Sequence, residues 1–177
     1  FIIATYRLTD IVMGPMANPF YIDMGYTLEE IGYVVKVVAL IATILGVFVG
    51  GIFIKRLGLY NSLLIGAILV MVTNLFFSIS AISDKNLFVL ASIVASDSFA
   101  AGVVGTVNIT FLTSLVSSKY TGFQYALLTS IMTFTGTFFK GFSGLIVENF
   151  QNVYGFNYGW MCFYIFTSLL AIPSIIL

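Results

Sequence analysis

Six long apolar runs, each closed by a short polar interval, organise this chain, and they lie at about 1–21, 31–54, 62–82, 87–116, 123–147 and 158–177. A helix crossing a bilayer needs about 20 mostly apolar residues, because each residue advances it about 1.5 Å through a hydrocarbon layer about 30 Å thick. Every run meets that length, so the pattern predicts an all-α fold: an integral membrane bundle of six helices forming a single transmembrane domain over 1–177. The intervals hold turn residues and most of the charges: Asp23-Met24-Gly25, Lys55-Arg56-Leu57-Gly58, Ser83-Asp84-Lys85-Asn86, Ser117-Ser118-Lys119, and the stretch from Glu148-Asn149 onward.

Composition sharpens this picture. Of the 177 residues, 60% are hydrophobic and 8% are charged, and the mean hydropathy is +1.09. A soluble domain carries about 25% charged residues, so this chain belongs in a lipid bilayer. A formal net charge of zero argues against nucleic acid as a partner. The one cysteine cannot form an internal disulfide, and the lack of histidine removes imidazole metal sites and catalytic dyads. No phosphate-binding loop, metal cluster or Ser/His/Asp set is present, which speaks against an enzyme and against a bound cofactor or metal. The chain starts at Phe1, already inside an apolar run, and reads as part of a larger protein.

Orientation follows from the basic residues of the short loops, which stay on the cytoplasmic side. Lys55, Arg56 and Lys119 occupy the second and fourth loops, whereas the first, third and fifth carry only Lys85. Both ends of the segment are therefore expected in the cytoplasm. No signal peptide is visible, the first run being too long and too polar for one.

Polar residues inside the runs are the candidate chemistry: Arg7, Asp10, Asn18, Lys36, Asn74, Asp97, Asn108 and Lys140. Charges in hydrocarbon are costly, so they tend to face a bundle interior or a wet cavity and to mark a pathway. At 100° per residue, Arg7, Asp10, Gly14 and Asn18 fall in one narrow sector of the first helix. Asp97, Ala101 and Asn108 share a face of the fourth, while Thr129, Thr133, Gly136 and Lys140 share one of the fifth that continues to Ser143 and Gly144. Structural readings stand beside these. Arg7 and Asp10 suit an ion pair that only neutralises itself, Lys36 can snorkel on its long stem, and Asn74 and Asn108 can join helices by hydrogen bonds. Asp97 lies about 15 Å into its helix, too deep for a short side chain to reach either surface, which favours a proton- or substrate-linked role. The Gly46-xxx-Gly50 pair permits close helix approach and is read as packing within the bundle rather than dimerisation.

Two stretches carry a resemblance. Gly51-Ile52-Phe53-Ile54-Lys55-Arg56-Leu57-Gly58 resembles the G-x-x-x-D-R-x-G signature of the major facilitator superfamily, which joins the second and third helices of each six-helix half. Lys55 stands where an acidic residue is usual. The match makes Gly51, Lys55, Arg56 and Gly58 candidates for a conformational gate. More specifically, Asn18-Pro19-Phe20-Tyr21-Ile22-Asp23-Met24-Gly25-Tyr26-Thr27 with Glu30-Ile31-Gly32, then Gly105-Thr106, Phe123-Gln124-Tyr125-Ala126-Leu127-Leu128 and Gly141 to Glu148, are similar in order and separation to the second half of AmpG-type muropeptide permeases. Phe123 departs from the threonine usual before that glutamine.

The resemblance implies the second half of a twelve-helix transporter with substrate held between its halves near the midplane. It implies import of anhydro-muropeptides across the bacterial inner membrane during peptidoglycan recycling, with the proton gradient as energy source and no cofactor. The expected partners are the small-molecule substrate, the lipid bilayer, and a missing N-terminal six-helix half or a partner chain. In this frame Asp97, supported by Asn108, is the proton- or substrate-linked group. The Arg7–Asp10 pair breaks during gating, and Lys36 and Lys140 meet anionic groups of a peptide or sugar acid. The alternatives are a carrier of another solute on the same scaffold, such as an acyl-CoA, and a decayed half-transporter with only an assembly role.

Overall fold

The structure, a computed structural model, describes residues 8–116 and 121–176. Helices α1 (Leu8–Asp23), α2 (Leu28–Leu57), α3 (Leu59–Ser80) and α4 (Leu87–Ser114) are followed by α5 (Thr121–Lys140), α6 (Ser143–Tyr154), α7 (Phe156–Leu169) and α8 (Ile172–Ile176). The last three of the first four, α2, α3 and α4, are each long and apolar enough to cross a membrane, and the molecule is an all-helical, multi-pass membrane protein.

The stretch expected as a fifth crossing is occupied by two helices, α5 and α6, separated at Gly141 and Phe142, and the sixth by α7 and α8. The second break has a simple cause. Pro173 has no N–H, and its ring crowds the carbonyl four residues back, which belongs to Leu169, where α7 stops. Within α2 the ladder loosens into a single π-helical turn at Val35–Ala39, the form in which π-helix mostly occurs inside α-helices.

Water drives little helix association inside lipid, so packing and hydrogen bonds must hold these helices together. The tightest contact is the seam between α2 and α4, which run parallel. A Cβ on Gly46 would overlap the carbonyl oxygen of Phe99, one on Gly102 would overlap that of Thr43, and one on Gly50 would lie 3.1 Å from the oxygen of Val103. The Gly46–Gly50 pair thus serves packing inside the bundle, as the sequence suggested. Leu63, Ala67 and Val70 of α3 close the same core against Ala100, Val103 and Val107 of α4.

A second core joins α1, α3 and α7 through rings. Phe20 and Tyr21 of α1, Phe77 of α3, and Trp160, Phe163 and Tyr164 of α7 are all buried and in contact. Phe20 meets Tyr164 edge-on at 5.0 Å and Phe77 stacks on Tyr164 at 4.9 Å, geometries worth about 0.5–1.5 kcal/mol per pair beyond area burial. Two hydrogen bonds stitch α3 to α7: Ser168 Oγ donates to the carbonyl of Met71 (3.2 Å) and Ser78 Oγ to that of Met161 (3.3 Å).

The odd-numbered loops end in a polar clasp above this core. Thr27 and Glu30 form a reciprocal capping box at the start of α2, Lys85 pairs with Glu30 at 3.0 Å, and the Tyr26 hydroxyl donates to the Asn86 carbonyl while accepting from its N–H. Trp160 Nε1 donates to Asp23 at 3.0 Å. At the opposite end a single residue, Gly58, joins α2 to α3 with φ of +83°, a conformation that side chains with a Cβ rarely adopt.

Candidate translocation site

Asp97 projects from the tenth position past the start of α4 and is half-buried. One turn before it on the same side of α4, Ile93 and Val94 pack in the buried cluster that holds Tyr21 of α1 and Tyr164 of α7. Both rings are placed by Phe77, which stacks on Tyr21 at 6.1 Å and on Tyr164 at 4.9 Å. Trp160 lies stacked on the other side of Tyr164 at 6.0 Å.

Among the described residues four buried side-chain polar atoms lack a hydrogen-bond partner, on Thr9, Asn74, Gln151 and Tyr164, and two of them lie at this spot. The Tyr164 hydroxyl and the Asn74 amide nitrogen are buried without a hydrogen-bond partner, and each such group costs about 1–3 kcal/mol. They also share a level. Met71, Asn74 and Ser78 lie at offsets of three and seven along α3, as Met161, Tyr164 and Ser168 do along α7, so each trio lines one helix face. The bonds from Ser168 to Met71 and from Ser78 to Met161 fix an antiparallel register, and that register sets Asn74 beside Tyr164.

The other sequence candidates are distributed more widely. Asn108 is buried, but it stands 11 residues beyond Asp97, about 16 Å along α4, and its amide reaches Met132 of α5 at 3.5 Å. The structure therefore uses it between α4 and α5 and does not bring it to Asp97. Ala101, on the same ideal face, is exposed, because that level of α4 lacks the neighbour that covers Asn108. Asn18 on α1, Lys36 in the π-helical turn of α2, and Lys140 at the end of α5 are exposed. Arg7 and the side chain of Asp10 lie outside the described residues. Gly51, Lys55, Arg56 and Gly58 cluster at the C-terminal end of α2, all exposed, where the two cations complement the carbonyl end of the helix.

The polar face of α5 is real but differently composed. Thr129, Ser130, Thr133, Phe134 and Thr137 line an open groove of about 510 Å³, whereas Gly136 is buried. The face does not continue to Ser143 and Gly144, because the helix ends at Lys140. Tyr21 and Tyr164 escaped sequence reasoning because the hydropathy pattern counts tyrosine among apolar residues; the signal that was available is the hydroxyl, which needs a partner when buried. Asp23 reads as a loop acid, yet it accepts from the chain's single tryptophan. Among the described residues no group of three or more His, Cys, Asp or Glu side chains is placed to hold a metal.

Outside the membrane interior, the Glu30 carboxylate is perturbed by its neighbours. The backbone N–H of Thr27 and then the Lys85 ammonium hold it below the usual glutamate range, although the group is exposed.

No protein-family model matches the chain. It is similar to the candidate transporter AmpG 1 of Rickettsia prowazekii (strain Madrid E), with 33% identity over 172 residues, which make up 97% of this chain and 37% of that protein. Against the candidate transporter AmpG 4 of Rickettsia conorii the identity is 32%, covering 96% of this chain and 39% of the relative. The anhydromuropeptide permease of Escherichia coli (strain K12) is 29% identical over 99% of this chain and 34% of its own length. The chain thus spans little more than a third of the length of these relatives. Their names are those of transporters and permeases, not of enzymes.

Proposed function

We infer that this chain, a relative of the AmpG-type permeases along nearly its whole length, forms the second six-helix half of a major-facilitator transporter that imports anhydro-muropeptides across the bacterial inner membrane together with protons. The observation that carries this reading is the similarity to the Escherichia coli anhydromuropeptide permease over 99% of the chain. Two structural features support it. A half-buried carboxyl deep in a membrane helix is costly unless it serves a pathway, and Asp97 is such a group. An exposed row of hydroxyls on α5 suits the wet interface between two halves better than it suits hydrocarbon.

In this mechanism a first half faces the α5 groove and the substrate lies between them. Asp97 takes a proton from water on one side of the membrane and returns it to water on the other. Protonation removes the charge and so lowers the electrostatic cost of the occluded state. Lys36 and Lys140, exposed on α2 and α5, offer cations to substrate carboxylates. The loop from Gly51 to Gly58 acts as a gate at the cytoplasmic end, and both ends of the segment lie in the cytoplasm.

The test is uptake of labelled anhydro-muropeptide into vesicles that contain the complete transporter. Asp97→Asn is expected to abolish stimulation of uptake by an inward proton gradient. Uptake with an unchanged rate and unchanged response to the gradient removes Asp97 from the mechanism.

A further inference from the structure

We propose that Tyr164 and Asn74, together with Tyr21, enclose a small hydration site behind Asp97, and that the two phenols are positioning residues for its carboxyl. This rests on the reading above, in which Asp97 carries the proton. Three independent observations converge here. Tyr164 is fully enclosed and Asn74 is 1% exposed, and the hydroxyl of one and the amide nitrogen of the other lack a hydrogen-bond partner. The two serine bonds that clamp α3 to α7 hold these residues at one level. Ile93 and Val94, one turn before Asp97 on the same side of α4, pack in the buried cluster that holds Tyr21 and Tyr164, and Phe77 stacks on both phenol rings.

The chemistry follows from the donor inventory. A phenol O–H and an amide N–H both donate, and a carboxylate only accepts. A water that accepts from Asn74 or Tyr164 has its own protons free to donate to Asp97, and buried waters characteristically satisfy two to four such groups. Each tyrosine keeps its proton throughout. The proton gained by Asp97 comes from water and returns to water, so no bond within the tyrosines breaks or forms. Their part is to hold the water, and through it to fix the rotamer and charge of the carboxyl.

The experiment uses the full-length transporter reconstituted in lipid. The infrared carbonyl band of protonated Asp97 is isolated as the difference between wild type and Asp97→Asn at low pH. Tyr164→Phe keeps the ring and its stacking on Phe77, and it is expected to move this band to higher frequency because a hydrogen bond to the carboxyl is lost. Asn74→Leu reads the other donor in the same way and is expected to move the band in the same direction. A band that stays at its wild-type frequency in the folded variants overturns the proposal. The spectrum needs no substrate, so this failure is distinct from that of the transport reading, in which the wild-type protein itself shows no anhydro-muropeptide uptake.

Discussion

The α2–α4 seam and the α1–α3–α7 block solve the same problem by opposite means. Along the seam, glycines let backbones touch: a single added carbon at Gly46 or Gly102 would collide with a carbonyl oxygen, and nothing polar is asked of the side chains. The block is built from large rings and hydroxyls, with interhelical serine bonds and three buried polar atoms, on Thr9, Asn74 and Tyr164, left without a partner. In hydrocarbon the first is strong because dispersion contacts are dense and no polar group is buried for them. The second is specific, and its polar groups can exchange partners.

The contrast can be broken most severely at the seam. Gly46→Val is expected to force α2 from α4 and to destabilise the full-length protein by about 3 kcal/mol, the upper range for overpacking, read as a lower melting temperature in detergent. A melting temperature within a degree of wild type would mean that the two helices part easily and that the seam is no strut. A smaller loss is expected from Trp160→Phe, which leaves a ring in the aromatic block but removes the donor to Asp23. Hydrogen bonds to charged groups contribute about 1.5–3 kcal/mol, and partial exposure here brings the expectation to about 1 kcal/mol. If the loss matched that of Gly46→Val, the block and the seam would be equally intolerant and the distinction between them would fail.

The weakest effect belongs to the clasp at the loop ends. Glu30 is held below its ordinary range in the folded protein, so the stabilisation it gives is complete above the unfolded-state value and disappears as pH falls through the lowered folded-state value. The group is exposed, so the effect is small and screened by salt. Melting of Glu30→Gln should therefore converge with wild type at acid pH and in high salt, and a difference that persists there would assign Glu30 a role beyond this pairing.

Much of the helical architecture was legible in the residues. Long apolar runs demand helices in lipid because every backbone group must find its partner within the segment, and the glycine spacing at Gly46 and Gly50 marked the close approach that α4 completes. The interruptions were harder to read. Pro173 is a visible breaker, but Gly141 and Phe142 sit within an apolar run whose mean composition hides a local stop. Site geometry was partly legible. Depth alone marked Asp97, because a short carboxylate cannot reach the surface from there. The cluster beside it was invisible, since Tyr21 and Tyr164 come from helices far apart in sequence and only the fold brings them together. Asn108 shows the converse limit: an ideal helical wheel puts it on the face of Asp97, yet the wheel ignores the separation along the axis and the neighbour that covers each level.

Gly58 is the whole connection between α2 and α3. A link of one residue has no slack, and the hydroxyl of Ser62 further ties it by donating to the Gly58 carbonyl at 2.7 Å. Any tilt of α2 must then be passed on to α3 at that end.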